Sequence, residues 1–289
     1  MALSSLRADF YNTPGIVTIP PIPAPGNITT LWPPFTVTLL SSDNEAVLVD
    51  TLLTKAQAGS LADWIEDLFP DKRLTYIYVT HGHGDHFLGL STLLDRFPNA
   101  TAVATKGTLA HMEELLLDDQ TILNEFFPGH QIDYPASPPA KALPSDDLTI
   151  DLEGHKLMAV PAGHSDTDDS SFLWVPDLKM AIVGDIVQNG VYSWLAESLN
   201  STLRQKWIQS IDKVKSFHPE TVVVGHKQIG APEGTWTLSA TQDYIRLWGR
   251  LADVAKNATD MFQRIKAAEP DYSGAFSLWW SCLQQFPPQ

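Results

Sequence analysis

Residues 81–86, HGHGDH, place three histidines and one aspartate within six consecutive positions. They follow LTYIYVT at 74–80, an apolar run typical of a strand that is covered on both faces. A rigid strand that ends in a loop is well suited to presenting ligand side chains, and the intervening glycines let His81, His83, Asp85 and His86 converge. Histidine and carboxylate side chains packed this closely as plain structural groups would compete for hydration and gain no stability in return. The segment therefore predicts a metal site.

Three later residues supply the partners that such a site needs, because each stands just past an apolar, strand-like run. They are His164 after KLMAVPAG, Asp185 after MAIVG, and His226 after TVVVG. Each of them alone is compatible with a residue that merely caps a turn. Together with the first segment they make five imidazoles and two carboxylates, which is the number of ligands that two metal ions use. Cys282 is the only cysteine, so a thiolate-rich zinc site is excluded.

Strand-like and helix-like patterns alternate in both halves of the chain. FTVTLLSS at 35–42 and AVLVD at 46–50 predict neighbouring strands, apolar residues recur at helical spacing over 56–69, and residues 107–127 predict a helix in two pieces. The second half repeats this rhythm, which predicts an α/β fold with two similar sheet layers and helices outside. We expect a single domain over 1–289, with a proline-rich extended arm over 1–34 and closing helices over 238–289.

Four segments carry the candidate ligands in a recognisable order: HGHGDH, the G-H of AGHSD, the G-D of VGDIV and the G-H of VGHK. In order and type, over roughly residues 35–230, they resemble the metal motifs of the metallo-β-lactamase superfamily. The resemblance implies a four-layer αβ/βα sandwich of two mixed sheets with helices outside. It implies two divalent metal ions, most readily zinc, with Asp185 bridging them. The remaining ligands would be His81, His83 and His164 for one ion, and Asp85, His86 and His226 for the other. Asp50 would orient a ligand histidine.

A pair of divalent ions lowers the pKa of a shared water and generates hydroxide beside a polarised carbonyl, which predicts hydrolysis of a carboxyl-derived bond. Asp85 is the expected proton donor to the departing atom. Tyr192 is a second catalytic candidate, as a hydrogen-bond donor to the oxyanion or the leaving group. Trp32, Phe87 and Trp194 are candidates for the pocket wall, with core packing as the alternative. The expected substrate is a small lactam or lactone, and the expected role is xenobiotic detoxification.

Other branches of the superfamily remain open as alternatives. The segment GHSDTDDSS lacks the proline and second histidine that follow this position in acyl-homoserine-lactone lactonases. A glyoxalase-II-like thioesterase would need basic residues for glutathione late in the chain, where Lys227, Arg246 and Arg250 are the candidates. A mononuclear iron persulfide dioxygenase on the same fold would use the first set of histidines and leave the second site empty.

The formal net charge of −15, with only 19 lysines and arginines, argues against nucleic acid as a partner. No apolar run is long enough to span a membrane. The N-terminal sequence MALSSLRADFYNTPG lacks the features of a signal peptide, so we expect a cytoplasmic protein. The aromatic segment FSLWWSCLQQF at 276–286 predicts a helix packed on its own core, and the alternative is a homo-oligomer interface through this helix.

Overall fold

The computed structural model describes residues 5–288, excluding the side chains at 118 and 119. Its strands form two main sheets, and each sheet contains both parallel and antiparallel neighbours. In spatial order, the first sheet consists of β1 (Arg7–Thr13), β4 (Phe35–Ser41), β5 (Glu45–Val49), β6 (Arg73–Tyr78), β7 (Thr101–Ala104) and β8 (Lys141–Ala142). The second consists of β13 (Thr221–Val223), β12 (Met180–Ile182), β11 (Ser170–Val175), β10 (His155–Gly163) and β9 (Thr149–Leu152). A small ribbon pairs β2 (Val17–Thr18) with β3 (Thr30–Leu31).

The helices cover the outer faces of the two sheets. The first half of the chain contributes α1 (Lys55–Leu68), the short α2 (Gly84–Phe87), α3 (Leu90–Arg96) and α4 (Lys106–Phe126). The second half contributes α5 (Ser201–Lys215), α6 (Trp236–Ala252), α7 (Ala258–Ala268) and α8 (Ala275–Gln285). Within residues 5–288, no helix combines the length and the apolar character that a membrane span requires.

Among the described residues, three apolar clusters hold these layers together. One cluster lies between the sheets, where Leu40 and Val49 of the first sheet and Leu157 and Leu173 of the second are fully buried. The other two clusters join each sheet to its own helices. This arrangement confirms the predicted four-layer αβ/βα sandwich, since each sheet is buried on both faces.

The structure differs from the sequence-based expectation at two elements. The N-terminal arm contains a seven-residue strand, β1, which pairs antiparallel with β4 from Arg7↔Ser41 to Thr13↔Phe35. Residues 106–126 form one helix rather than two, because Met112, Leu116, Leu123 and Phe126 recur on a single buried face.

The aromatic C-terminal segment forms α8 and packs on the core of its own chain. Phe276, Leu278, Trp279 and Leu283 are buried, and Trp280 is partly buried. An interface between copies through this helix stays a prediction.

Candidate metal centre

The candidate centre lies where strands of both sheets end. Asp50 follows β5, His81 follows β6, Asp185 follows β12, and His226 comes three residues after β13. Both β5–β6 and β12–β13 are parallel pairs, so the residues that follow them meet at one edge of the sandwich. His83, Asp85 and His86 reach the same edge through the turn that leads into α2.

Two groups of ligand-type atoms converge at this edge. In the first, Asp166 Oδ2 lies 2.8 Å from His83 Nδ1 and 3.5 Å from His81 Nε2. In the second, His226 Nε2 lies 3.3 Å from Asp85 Oδ2, and the ligand atoms of Asp85, His86 and His226 all lie within 4.8 Å of one another.

Asp185 stands between the two groups. Its Oδ1 is 3.3 Å from His86 Nε2, and its Oδ2 is 3.2 Å from His226 Nε2. It also forms a third compact group with His81 and His86. Gly225 makes room for it, because a Cβ at that position would stand 2.4 Å from Asp185 Oδ1.

The geometry of these groups fits divalent metal ions. Zinc–nitrogen bonds of about 2.0–2.1 Å in a tetrahedron imply ligand-to-ligand distances of about 3.3–3.4 Å. Four distances lie close to that value, at 3.2–3.5 Å; they link His81 to Asp166, His86 and His226 to Asp185, and His226 to Asp85. The distance from His83 to Asp166 is shorter, at 2.8 Å, and that from His86 to Asp85 is longer, at 3.9 Å. Three of the atoms, His81 Nε2, His86 Nε2 and Asp185 Oδ1, are buried and form no hydrogen bond within residues 5–288.

The other ring nitrogen of each histidine in the two groups has its own hydrogen-bond partner. His81 Nδ1 lies 3.0 Å from Thr80 Oγ1, His83 Nε2 lies 2.8 Å from Glu197 Oε1, and His86 Nδ1 lies 2.9 Å from Asp50 Oδ2. His226 Nδ1 donates to the carbonyl oxygen of Pro34 at 3.0 Å. These partners leave the nitrogen that faces the centre free to act as a ligand.

The electrostatics of the metal-free cluster follow from burial and from mutual proximity. Burial lowers the pKa of His81 to about 4. Burial would also lower the pKa of His226, but Asp185 and Asp85 outweigh it and raise that pKa to about 9. Burial would raise the pKa of Asp85, but His86 and His226 outweigh it and lower that pKa to about 2. Without metal, the site is therefore a set of buried ion pairs.

Comparison with known proteins places this arrangement in a family. Residues 34–226 match the family model described as the metallo-beta-lactamase superfamily. The chain belongs to the metallo-beta-lactamase superfamily. It is 24% identical over 197 residues to a metallo-beta-lactamase type 2 of Bacteroides fragilis, an alignment that covers 68% of this chain and 70% of that one. It is 25% identical over 199 residues to a metallo-beta-lactamase type 2 of Bacillus cereus, covering 66% of each chain.

Solved structures of the superfamily share the fold. A metallo-beta-lactamase from Pontibacter korlensis superposes with a TM-score of 0.57 at 18% identity, covering 84% of this chain and 99% of that one. The enzyme TMB-1 gives a TM-score of 0.58 at 16% identity, covering 86% of this chain and 100% of that one. At such identities the likeness establishes the fold alone.

His164, which the superfamily resemblance assigned to the first ion, does not join the cluster. Its Nδ1 lies 2.7 Å from Asp168 Oδ1 and its Nε2 lies 2.7 Å from Ser198 Oγ. Asp166, two residues later, faces His81 and His83 instead. The pairing of β10 with β11 shifts register between Pro161 and Gly163, so a bulge immediately precedes this loop. A bulge re-aims the side chains that follow it, which accounts for the departure.

Tyr192 also lies outside the centre. Its hydroxyl donates to the carbonyl oxygen of Glu269 at 2.7 Å, and its ring is buried in the cluster that joins the second sheet to its helices. The structure therefore does not bring Tyr192 to the centre, and its expected contact with an oxyanion or a leaving group stays a prediction.

The structure adds residues that the sequence did not single out for these roles. Glu197 lies within hydrogen-bonding distance of His83 and accepts from Thr167 Oγ1 at 2.6 Å. Trp32, from the N-terminal arm, donates its indole N–H to Asp85 Oδ2 at 2.6 Å. No periodicity marks an isolated glutamate in a loop or a tryptophan in a proline-rich arm, so neither contact has a sequence signal.

Proposed function

We propose that this chain is a dinuclear-metal hydrolase that opens a small cyclic amide or ester. The observation that carries the proposal is the convergence of buried ligand atoms without hydrogen-bond partners, beneath a cavity of about 240 Å³. His83, Asp85, Asp185 and His226 line that cavity, so a bound molecule contacts the candidate centre directly. The volume lies below the ~300–1,000 Å³ of pockets for drug-sized ligands, which favours a small substrate.

The donor set defines which residues would hold the metal ions. His81, His83 and Asp166 would hold one ion, and Asp85, His86 and His226 the other, with Asp185 between them. When bound, such ions lower the pKa of a coordinated water and polarise a carbonyl group. Nitrogen and oxygen ligands without thiolate suit zinc, and we propose zinc as the metal.

Asp85 is the residue that we assign to proton transfer. It lines the cavity beside His226, so its carboxylate would take up a proton from the attacking water and return it to the departing atom. In the overall reaction the oxygen of water bonds to the carbonyl carbon, the ring C–N or C–O bond breaks, and the departing atom takes up a proton. Trp32 fixes the Asp85 carboxylate through its indole N–H.

The curated relatives support this reaction class. Three of them are named metallo-beta-lactamase type 2, and at 24–25% identity their name suggests opening of a cyclic amide here. A role in xenobiotic detoxification stays a prediction. So does a cytoplasmic location.

Metal analysis and turnover together test the proposal. The purified protein, loaded with zinc, should contain two ions per chain and hydrolyse members of a panel of small lactams and lactones, and a chelator should abolish both properties. A single iron with oxidation of persulfides would support the dioxygenase instead, and turnover confined to glutathione thioesters would support the thioesterase.

An Asp85→Asn variant tests the assigned role of that residue. Turnover should fall by at least about 100-fold, within the 10²–10⁴-fold that general acid–base catalysis supplies. Loss of the carboxylate also weakens the second metal site, so turnover is measured at zinc concentrations that restore two ions per chain, where metal content should match the wild type. A variant with full turnover contradicts the assignment.

A further inference from the structure

Glu197 collects hydrogen bonds from several side chains beside the candidate centre. Its Oε1 accepts from Trp194 Nε1 at 3.1 Å and lies 2.8 Å from His83 Nε2. Its Oε2 accepts from Thr167 Oγ1 at 2.6 Å. Because an ionised carboxylate only accepts hydrogen bonds, the proton of His83 is on Nε2. Its Nδ1, which lies 2.8 Å from Asp166 Oδ2, is then the nitrogen left for a metal ion.

His83 depends on its hydrogen-bond partner more than the other histidines of the two groups do. The side chains of His81, His86 and His226 are only 0–3% exposed, so close packing holds their rings. The side chain of His83 is 15% exposed, and the residue stands in a turn between two glycines. Packing therefore fixes its ring less tightly, and the hydrogen bond to Glu197 supplies the constraint that packing does not.

The network continues from Glu197 through Thr167 to His111 of α4. His111 Nε2 lies 2.7 Å from Thr167 Oγ1. The threonine hydroxyl has a single proton and donates it to Glu197, so toward His111 it acts as an acceptor. The proton between them therefore belongs to His111 Nε2. Each link of the network thus has one direction, from His111 to Thr167 and from Thr167 to Glu197.

A packing contact also joins His111 to the turn that carries His83. A Cβ at Gly82 would stand 2.9 Å from His111 Cδ2 and 3.1 Å from its carbonyl carbon. Helix α4 therefore lies directly against this turn, and only a residue without a side chain permits the approach. The side chain of His111 is 11% exposed, so the turn and the helix hold its ring in place.

We propose that Thr167 and His111 are positioning residues for the ion that His81, His83 and Asp166 would hold, which we call the first ion. Through Glu197 they keep the ring of His83 in the orientation and the tautomer that present Nδ1 to the metal. This inference rests on the proposed function, and it extends the centre beyond the ligands and their direct partners to a residue of α4. The same helix lines the cavity, so the support of the first ion and part of the substrate wall belong to one element.

Paired substitutions at Thr167 test the proposal through metal binding. Thr167→Val replaces the hydroxyl with a methyl group of similar size, so Glu197 and His111 lose the partner that they share. The affinity for one of the two zinc ions should fall by at least about tenfold, the lower end of the effect of losing a group that orients a ligand. Thr167→Ser keeps the hydroxyl and should hold that affinity within about threefold of the wild type.

Substitutions at His111 test the outer end of the network and decide the inference if Thr167→Val does not fold. His111→Leu removes the donor and should lower the same affinity by at least about threefold, because one hydrogen bond is lost. His111→Gln can place an amide N–H near the position of Nε2 and should recover the affinity. Thr237→Val is the matched control on α6: it removes a buried hydroxyl that donates to the carbonyl oxygen of Gly234 at 2.7 Å, and it should bind zinc as the wild type does.

Two measurements report on these variants of the full chain. Competition with a chromophoric chelator gives the affinities, and circular dichroism shows that each variant is folded. NMR of isotopically labelled histidine gives a readout that a merely structural role would not move. In the zinc-loaded wild type, His83 should carry its proton on Nε2; in Thr167→Val, part of its signal should shift to the other tautomer. The signals of His86, which Asp50 orients, should stay unchanged.

The outcomes separate this inference from the proposed function. If Thr167→Val and His111→Leu bind two zinc ions with wild-type affinity, or if the His83 signals match those of the wild type, the inference is overturned and the hydrolase proposal stands. A fall in affinity that neither Thr167→Ser nor His111→Gln avoids reflects a general loss of packing and also overturns it. If the wild type binds two ions but hydrolyses no lactam or lactone, the hydrolase proposal fails, and the affinities and the tautomer of His83 still decide the inference. A wild type that binds no metal overturns both.

Discussion

Asparagine substitutions at Asp166 and at His164 distinguish the two assignments of the third ligand in the first metal site. Asp166 is buried, and its Oδ2 lies 2.8 Å from His83 Nδ1 and 3.5 Å from His81 Nε2. His164 instead lies 2.7 Å from both Asp168 Oδ1 and Ser198 Oγ. We expect Asp166→Asn to weaken metal binding and His164→Asn to leave it largely intact.

The magnitudes follow from what each side chain contacts. Loss of a partner that merely orients a ligand costs about 10–100-fold in metal affinity, so loss of a direct ligand should reach at least about 100-fold, or about 2.7 kcal/mol. His164 shares one hydrogen bond with Ser198, worth about 0.5–1.5 kcal/mol of folding stability. Its other partner, Asp168, has a side chain that is 65% exposed, so that contact contributes little. The affinity of His164→Asn for metal should stay within about tenfold of the wild type.

Competition with a chromophoric chelator gives both affinities, and elemental analysis gives the number of ions that each variant retains. Circular dichroism and thermal denaturation of the chelated proteins show whether each variant is folded. Asp166→Asn should retain one ion under conditions in which the wild type and His164→Asn retain two. The opposite pattern, with folded His164→Asn retaining one ion and Asp166→Asn two, would restore His164 as the ligand and refute the reasoning from this structure.

Three further predictions concern neighbouring features. Tyr192→Phe removes only the hydrogen bond to the main-chain carbonyl of Glu269, so it should leave kcat and KM within about twofold of the wild type. It should lower the free energy of unfolding by about 0.5–1.5 kcal/mol. A large fall in kcat would return Tyr192 to the mechanism. Gly225→Ala should weaken metal binding at least about tenfold in a chelator titration, since its Cβ would stand 2.4 Å from Asp185 Oδ1. The control variant Gly59→Ala, whose new Cβ has no atom within 4 Å, should bind metal normally. The folded pKa of His226, about 9, lies above its ordinary 6.5, so protonated His226 stabilises the metal-free protein fully below pH 6.5, and this stabilisation is lost as pH rises through 9. The stabilisation is on the order of 3 kcal/mol. The melting temperature of the chelated protein should therefore fall between pH 6.5 and 9, and a melting temperature that stays constant over this range would contradict the raised pKa of His226.

The buried strands were predictable because each is a short, nearly continuous apolar run. LTYIYVT, KMAIV and TVVV can be recognised from composition alone, and their ends mark where ligands can lie. The first strand, RADFYNT, lacked such a signal, since it lies at the edge of its sheet and none of its apolar residues is fully buried. Edge strands take their register from their neighbour, which a local pattern does not reveal.

The same contrast applies to the site. The HGHGDH segment was predictable because its ligands are contiguous, and the structure brings Asp185 and His226 beside it as the sequence predicted. The choice between His164 and Asp166 was not predictable from sequence. Both are ligand-type residues just past one strand, and a register shift near Gly163 decides which of them turns inward. The contacts of Glu197 with His83 and of Trp32 with Asp85 depend on long-range packing of loops, for which a single sequence carries no periodic signal.

Asp50 shows how one residue serves both groups of ligands. Its backbone adopts a φ of 65°, in the left-handed region that is costly for any residue other than glycine, and such strain persists where the surrounding structure enforces it. Its carboxylate accepts hydrogen bonds from the Thr80 amide, the Thr80 hydroxyl and His86 Nδ1. With its own proton committed to Asp50, the Thr80 hydroxyl is left as an acceptor for His81 Nδ1 at 3.0 Å. Asp50 thus orients His86 directly and His81 through Thr80, one histidine from each group. The Thr80 amide, the Thr80 hydroxyl and His86 Nδ1 all donate to the Asp50 carboxylate, so a side chain with acceptors on both of its terminal atoms is needed to satisfy them. Asparagine tolerates the same φ more readily, but its amide NH₂ group is a donor and cannot replace one of the two carboxylate oxygens.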